Sequence, residues 1–241
     1  MCPPSLSLST ASDLESGGLF PGITPVDNAL RLGFIKKVFG IVGFQLLLTS
    51  AVAMAINTSL PAQRFLVNAP WVFFVLSLVS ILGLIPLFLL KDRHPHNMIA
   101  LGIWTCTFGV SVGMTITFYS QAVVAQAVLL TAVMVTGLTA YAFYATSKGV
   151  EFGWMRPFLF ASLLGLLCSG ILLMFFHSPI AETIYSLLGA LLFSAYIVYD
   201  VHLLAAKYDV DEYIWASVSL YLDILNLFLH ILRLLNGNKR H

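Results

Sequence analysis

The segment IAETIYSLLGALLFSAYIVYDVHLLAA, residues 180–206, decides the fold class of this chain. It is long enough to cross a bilayer, because a spanning helix needs ~20 mostly apolar residues that each add ~1.5 Å. The segment contains no lysine or arginine, and the acidic residue well inside it is Asp200. Because charges are costly in hydrocarbon, an acid in this position indicates a membrane helix that carries a functional group.

Six other apolar runs accompany this segment, and short polar or proline-containing stretches separate them. They are residues 38–57, 69–90, 97–118, 121–146, 154–176 and 213–235. Hydrophobic residues make up 59% of the 241 positions and charged residues only 10%, whereas a soluble domain has roughly a quarter charged residues. The sequence therefore predicts an all-α polytopic membrane protein with seven transmembrane helices.

The chain divides into three parts. Residues 1–33 are rich in Ser, Pro and Gly and are expected to form a disordered tail without a signal peptide. Residues 34–236 form the membrane domain, and residues 237–241 form a short C-terminal tail. A net charge of +1 provides no basic surface for phosphates, which excludes a nucleic-acid partner. Cys2, Cys106 and Cys168 show no pairing or metal-binding pattern, so neither a disulfide framework nor a structural metal site is expected.

Lysine and arginine are distributed unequally between the two ends of the predicted bundle. The basic residues at the first end are Arg31, Lys36, Lys37, Lys91, Arg93, Lys148, Arg156 and Lys207. The loops at the second end hold only Arg64. Because basic loops stay in the cytosol, the N-terminus is expected to be cytosolic. Arg233, Lys239 and Arg240 would then lie on the far side, and a short or re-entrant last segment would remove this conflict.

Two acidic side chains lie well inside apolar segments, Asp200 and Asp223. The turn between the last two segments makes them antiparallel neighbours, and its centre lies about ten residues after Asp200 and about fourteen before Asp223. At ~1.5 Å per residue, the two carboxyl groups differ in depth by only ~6 Å. The sequence therefore predicts that the two carboxyl groups meet.

Two carboxyl groups in one apolar site cannot both ionise cheaply, so we expect them to share a proton. Loss of that proton would push the two helices apart or recruit a cation between them. The alternative is that each aspartate only makes packing hydrogen bonds, with Tyr199, Tyr221, Asn226 or backbone carbonyls. Two acids at matched depth on adjacent helices favour the functional interpretation.

Other polar residues are weaker candidates. Lys91 or Arg93 could pair with Asp200 in a closed state, although anchoring the helix end is the favoured role. His202 and His230 lie near the aspartates in sequence and could tune the proton response, although such histidines usually hydrogen-bond across helices. Tyr199 and Asn226 are further candidates for tuning.

An acidic turn follows residues 180–206 at the predicted cytosolic end. Asp209, Asp211 and Glu212 supply hard oxygen ligands that would attract Ca²⁺ weakly, although a solvated loop is the default interpretation. No resident cofactor is expected, and Ca²⁺ would be a transported ion.

The last two segments resemble the transmembrane BAX inhibitor motif family, and its Lifeguard branch in particular. The resemblance rests on SAYIVYD at 194–200, DEYI at 211–214 and LYLDILNLF at 220–228. Weaker echoes occur in FIKKVF at 34–39 and LTAYAF at 138–143. The likeness therefore covers the chain after its N-terminal tail.

This resemblance implies a seven-helix fold whose C-terminal helix is central. It also implies a pH-sensitive calcium leak of the endoplasmic reticulum or Golgi membrane that lowers stored calcium and suppresses cell death. In that family a pair of aspartates acts as the pH sensor, and the pair corresponds to Asp200 and Asp223 here. The implied partners are the lipid bilayer, Ca²⁺ and H⁺, together with membrane proteins that regulate cell death.

Two other functions remain open. The protein could be a non-conducting membrane scaffold that regulates cell-death partners. An intramembrane aspartyl protease would also use two carboxyl groups that share a proton. Such proteases carry Gly-x-Gly-Asp at the second aspartate, whereas this chain has Leu220-Tyr221-Leu222-Asp223 and no Pro-Ala-Leu motif afterwards. An enzyme is therefore not predicted.

Overall fold

The computed structural model describes residues 25–69, 71–90, 95–176, 178–209 and 211–237. Within these ranges the chain is helical and contains no β-strand. The helices are α1 (Pro25–Thr58), α2 (Leu60–Asn68), α3 (Trp71–Leu82), α4 (Leu84–Leu90), α5 (His96–Ile116), α6 (Gln121–Ser147), α7 (Met155–Phe175), α8 (Pro179–Ala206) and α9 (Tyr213–Gly237). Six of them, α1 and α5 to α9, are long and apolar enough to cross a membrane. The predicted all-α polytopic fold is confirmed.

Several helix ends follow from local sequence. Ser120 precedes α6 and its hydroxyl accepts a hydrogen bond from the Val123 backbone N–H, as an N-cap residue does. Gly149 follows α6 with a positive φ of 76°, a conformation that favours glycine after a helix. Pro179 opens α8, where its missing N–H leaves no helical bond unmade. These ends coincide with the predicted breaks between apolar segments.

The first helix begins earlier than predicted. α1 starts at Pro25, whereas the first apolar segment was predicted at 38–57. Residues 25–33 therefore belong to this helix, although the sequence placed them in a disordered tail. The difference arises because apolar content marks only the part of a helix that lies in hydrocarbon, and a basic, more polar extension lacks that signal. Residues 1–24 and 238–241 lie outside the described ranges.

The second predicted apolar segment is broken at Gly83 into α3 and α4. Pro86 has no N–H and its ring clashes with the carbonyl of residue i−4, so it interrupts helical bonding here. The indole N–H of Trp104 donates to the Ser80 carbonyl at 2.8 Å. A Cβ at Gly83 would lie 2.7 Å from the Trp104 ring, so this close approach requires glycine. Together with the six long helices, these two pieces account for all seven predicted apolar segments.

The last helix, α9, lies at the centre of the bundle. It packs against α8, α6, α1 and α5. In its most apolar 18-residue window 61% of the residues are buried, against 11% in the corresponding window of α7. The central position of the C-terminal helix is therefore confirmed. α9 runs without a break from Tyr213 to Gly237, so it shows no re-entrant turn.

Helices α1 and α5 pack most closely near the end of α1. A Cβ at Gly109 would lie 3.3 Å from the Thr49 Cα, and one at Gly113 would lie 3.1 Å from the Ala53 Cα. Small residues of this kind allow two membrane helices to bring their backbones together. The two helices are thus fixed at this end of their contact.

Candidate functional site

The hairpin of α8 and α9 positions the two buried aspartates. Asp200 lies six residues before Ala206, the end of α8, and Asp223 lies ten residues after Tyr213, the start of α9. At ~1.5 Å per residue, the aspartates are ~9 Å and ~15 Å from the ends of their helices. The hairpin therefore sets both aspartates at similar depth, as predicted.

The carboxyl groups of Asp200 and Asp223 are within hydrogen-bonding range of each other. Each of these side chains is only 8% exposed. An ionised carboxylate can accept but not donate a hydrogen bond, so this contact requires a proton on at least one of the two groups. The predicted meeting of the carboxyl groups is confirmed, whereas their role as a pH sensor stays a prediction.

The second carboxyl oxygen of Asp223 is not stabilised by a hydrogen bond within the described residues. Its Oδ2 is buried and has no hydrogen-bond partner among the described residues. A buried oxygen that accepts no hydrogen bond has lost its bonds to water without replacing them, which costs free energy. This free-energy cost is much larger if the carboxyl group is charged. The surroundings therefore favour the protonated pair over two carboxylates.

Two tyrosines that the sequence analysis did not single out lie beside the pair. Tyr196 precedes Asp200 by one helical turn and lies near both carboxyl groups. Tyr208 lies just beyond α8, near Asp200 and the side chain of Ser219. Burial, with Asp200 nearby, raises the pKa of Tyr208, so its hydroxyl stays protonated. The i−4 spacing of Tyr196 from Asp200 was the available signal for the first tyrosine.

Arg31 of α1 holds the end of α8 next to this site. Its guanidinium donates to the carbonyls of Leu204 and Tyr208. A cation at a helix C-terminus is favourable because the last carbonyls carry partial negative charge. Lys91 and Arg93, the predicted partners of Asp200, lie outside the described residues.

The alternative packing roles are not supported for two of the named partners. The Tyr221 hydroxyl is 2.6 Å from the Thr49 hydroxyl, on the side of α9 that faces α1. The Asn226 side chain donates to the Leu222 carbonyl at 2.8 Å, within its own helix. These two side chains therefore have partners other than the aspartates. Tyr199 lies close to Tyr208 at the edge of the site.

The two histidines make their contacts with residues other than the aspartates. His202 is buried, its Nδ1 is 3.0 Å from the Thr146 hydroxyl of α6, and its ring packs edge-on against Phe152. Its Nε2 has no partner among the described residues. His230 stacks on Phe193 at a centroid distance of 5.7 Å. The structure thus assigns both histidines to helix packing contacts, and their predicted tuning role stays a prediction.

The acidic turn does not converge on a metal site. Asp209, Asp211 and Glu212 are exposed, and the Glu212 carboxylate accepts a hydrogen bond from the Asp209 backbone N–H at 3.4 Å. Across the described part of the chain, no three His, Cys, Asp or Glu side chains group as metal ligands would. Weak attraction of Ca²⁺ by this turn remains a prediction.

Comparison with known proteins gives a consistent assignment. The family model for the inhibitor of apoptosis-promoting Bax1 matches residues 31–240. The BI1-like protein of Arabidopsis thaliana is 41% identical over 228 residues, which cover 92% of this chain and 89% of that protein. Protein LIFEGUARD 4 of Arabidopsis thaliana is 43% identical over 209 residues, with 84% of each chain covered. The Golgi anti-apoptotic protein of Vaccinia virus (strain Lister) is 35% identical over the full length of both chains. The chain therefore belongs to the Bax inhibitor family and to its Lifeguard branch.

Proposed function

We propose that this protein is a pH-sensitive calcium leak of an intracellular membrane and that the aspartate pair is its gate. The observation that carries the proposal is the hydrogen-bonding contact of Asp200 with Asp223, buried between α8 and the central helix α9. Intramembrane acids are costly, and a pair of them that needs a proton to stay together responds to proton concentration.

The direction of the response follows from the charges. At low pH the shared proton bridges the two carboxyl groups and holds α8 against α9. As pH rises the proton is lost, and two negative charges then face each other in a site of low dielectric. The repulsion either separates the helices or is relieved by a cation. Carboxylate oxygens are the ligands that Ca²⁺ prefers, so the deprotonated pair suits this ion.

The cellular role is proposed from the relatives. One relative is named a Golgi anti-apoptotic protein, and others carry the name LIFEGUARD. We therefore propose that this protein suppresses cell death by lowering stored calcium, in the Golgi or endoplasmic reticulum membrane. The excess of lysine and arginine at the end where α1 begins favours a cytosolic N-terminus.

The protease alternative gains no support from the site. Asp223 lies in an uninterrupted helix, and the preceding Leu220 and Tyr221 are fully buried. A substrate backbone would need close access to this aspartate, which glycines provide in such proteases and which large side chains block here. The non-conducting scaffold remains an outcome of the test below.

The test is calcium flux into liposomes that contain only the purified full-length protein, measured over a range of pH. The native chain should give a flux that increases with pH. Asp200→Asn and Asp223→Asn should each abolish most of that increase, because neither leaves two carboxylates to repel each other. Glu182→Gln is the matched control, since it removes an exposed carboxylate from the first turn of α8, at the opposite end of that helix from Asp200, and it should behave as the native chain does.

A native flux that equals that of empty liposomes at every pH would overturn the calcium-leak proposal and favour the non-conducting scaffold. A flux with the same pH dependence in Asp223→Asn as in the native chain would overturn the gate alone.

A further inference from the structure

Helices α1 and α5 leave open space between them in the part of their contact that is nearer to the start of each helix. Between them lies a cleft of about 300 Å³. Gly40 of α1 and Gly102 of α5 both line it, and neither has any neighbouring atom within 4 Å of an added Cβ. This contrasts with Gly109 and Gly113 further along α5, which pack against α1. The two open glycines therefore leave space that the chain itself does not fill.

The lining of the cleft is apolar except at its two ends. Ile41, Phe44, Met98 and Leu101 form much of its wall. Phe44 is 63% exposed, although it lies in a helix that spans the membrane by length and composition. The open side of the cleft therefore faces lipid rather than water. Its occupant must be apolar along most of its length.

A polar contact closes the inner end. Gln45 is 1% exposed, and its Nε2 donates to the Thr105 hydroxyl at 3.2 Å. Eight residues of α1 separate Lys37 at the outer end from Gln45, a rise of ~12 Å. Half of a typical ~30 Å hydrocarbon core is ~15 Å. The cleft thus extends through most of one leaflet and stops near the bilayer midplane.

Lys37 supplies the charge at the outer end. Its ammonium lies 3.2 Å from the centroid of the Tyr213 ring and also lines the cleft. Lys36 is exposed as well but does not line the cleft. A lysine at the level of the headgroups attracts anionic lipids. We propose that the cleft between α1 and α5 binds one acyl chain of an anionic phospholipid, whose phosphate lies at Lys37.

The occupant is a membrane lipid because of where the opening lies. A soluble phosphate compound would reach Lys37 but would leave the apolar wall empty, whereas a neutral lipid would fill the wall without using the charge. A phospholipid with a net negative headgroup uses both. The proposal stands on the geometry of α1 and α5 and does not depend on calcium conduction.

The first experiment fills the cleft. Gly102→Leu adds a side chain where the structure has open space, and Gly40→Leu does so from the opposite wall. Gly165→Leu is the matched control, because a Cβ there also meets nothing within 4 Å but lies on α7, away from the cleft. Native mass spectrometry of the purified full-length protein, titrated with phosphatidylserine, counts the bound lipids.

The native chain and Gly165→Leu should hold one tightly bound phosphatidylserine, which both cleft-filling variants should lose. Retention of that lipid by the two cleft-filling variants would overturn the proposal. Equal loss from Gly165→Leu would overturn it too, because the loss would then not report on the cleft.

The second experiment removes the charge. Lys37→Gln should reduce the preference for phosphatidylserine over phosphatidylcholine about fivefold, the effect of one lysine near a charged lipid surface. Lys36→Gln is the control and should leave the preference of the tightly bound lipid unchanged. An equal effect of both substitutions, or no effect of either, would overturn the assignment of the headgroup to Lys37.

Discussion

Substitution of Asp223 by asparagine should reduce the pH dependence of the protein's stability. In the native chain the two buried carboxyl groups lie within hydrogen-bonding range, and a hydrogen bond between them requires a proton on at least one of them. When that proton is lost, two negative charges face each other, and a separation of about 4 Å is assumed for them here. At an effective dielectric constant of about 20, their repulsion is about 4 kcal/mol.

That energy converts to a measurable shift in thermal midpoint. For a chain of this size, 1 kcal/mol corresponds to about 2–4 °C, so full deprotonation should lower the midpoint by about 8–16 °C. The sign is fixed by the proton: the native state loses this stability as pH rises. Asparagine at position 223 carries no charge and can donate its amide N–H to Asp200, so the midpoint of the variant should fall less than that of the native chain as pH rises, the remaining fall coming from ionisation of the buried Asp200.

The assay is thermal unfolding of the detergent-purified protein from about pH 5 to about pH 9, which includes the upper range in which buried carboxyl groups lose their proton. One scan rate must be used throughout, because membrane proteins of this kind often unfold irreversibly. Asp209→Asn serves as the control, since it removes an exposed charge in the adjoining turn and should follow the native profile. The reasoning is refuted if the native midpoint does not fall, or if Asp223→Asn falls by as much as the native chain.

Three further substitutions test the packing around the site. Gly189→Leu should lower the thermal midpoint, because even a Cβ at this position overlaps the His230 ring, and overpacking costs about 1–3 kcal/mol; an unchanged midpoint would show that the ring moves freely. Trp104→Phe removes the indole N–H that donates to the Ser80 carbonyl and should cost about 1 kcal/mol, again measured as a lower midpoint. Arg31→Gln should speed amide hydrogen exchange at the end of α8, because the guanidinium bonds to its last carbonyls. Mass spectrometry would detect that change, and unaltered exchange would contradict the proposal that Arg31 stabilises the end of α8.

Sequence reasoning succeeded where local spacing determines the outcome. The positions of Asp200 and Asp223 relative to their connecting turn were enough to predict their contact, since an antiparallel hairpin of two regular helices has little freedom in register. It failed at Gly83, where the apolar run continues without interruption although the helix does not. Pro86 was the visible signal, but a proline alone does not say whether a membrane helix bends or breaks.

Contacts between distant parts of the chain were not accessible from sequence. The approach of Tyr208 to Asp200 depends on how the chain leaves α8, and the pairing of Thr49 with Tyr221 depends on how α1 packs against α9. Such pairings depend on three-dimensional packing, so the local sequence around either residue does not predict its partner. The cleft between α1 and α5 likewise exists only once both helices are placed.

The break at Gly83 also determines how the bundle can deform. The Trp104 indole is bonded to the Ser80 carbonyl just before the break, and its ring packs edge-on against Tyr221 of the central helix at a centroid distance of 5.7 Å. The rigid Trp104 ring therefore links the end of α3 to the central helix α9. If α9 shifts sideways, Trp104 must either move with it or lose one of these two contacts. If Trp104 moves, the Ser80 carbonyl next to the break between α3 and α4 must move too. A sideways shift of the central helix would therefore be expected to change the angle between α3 and α4.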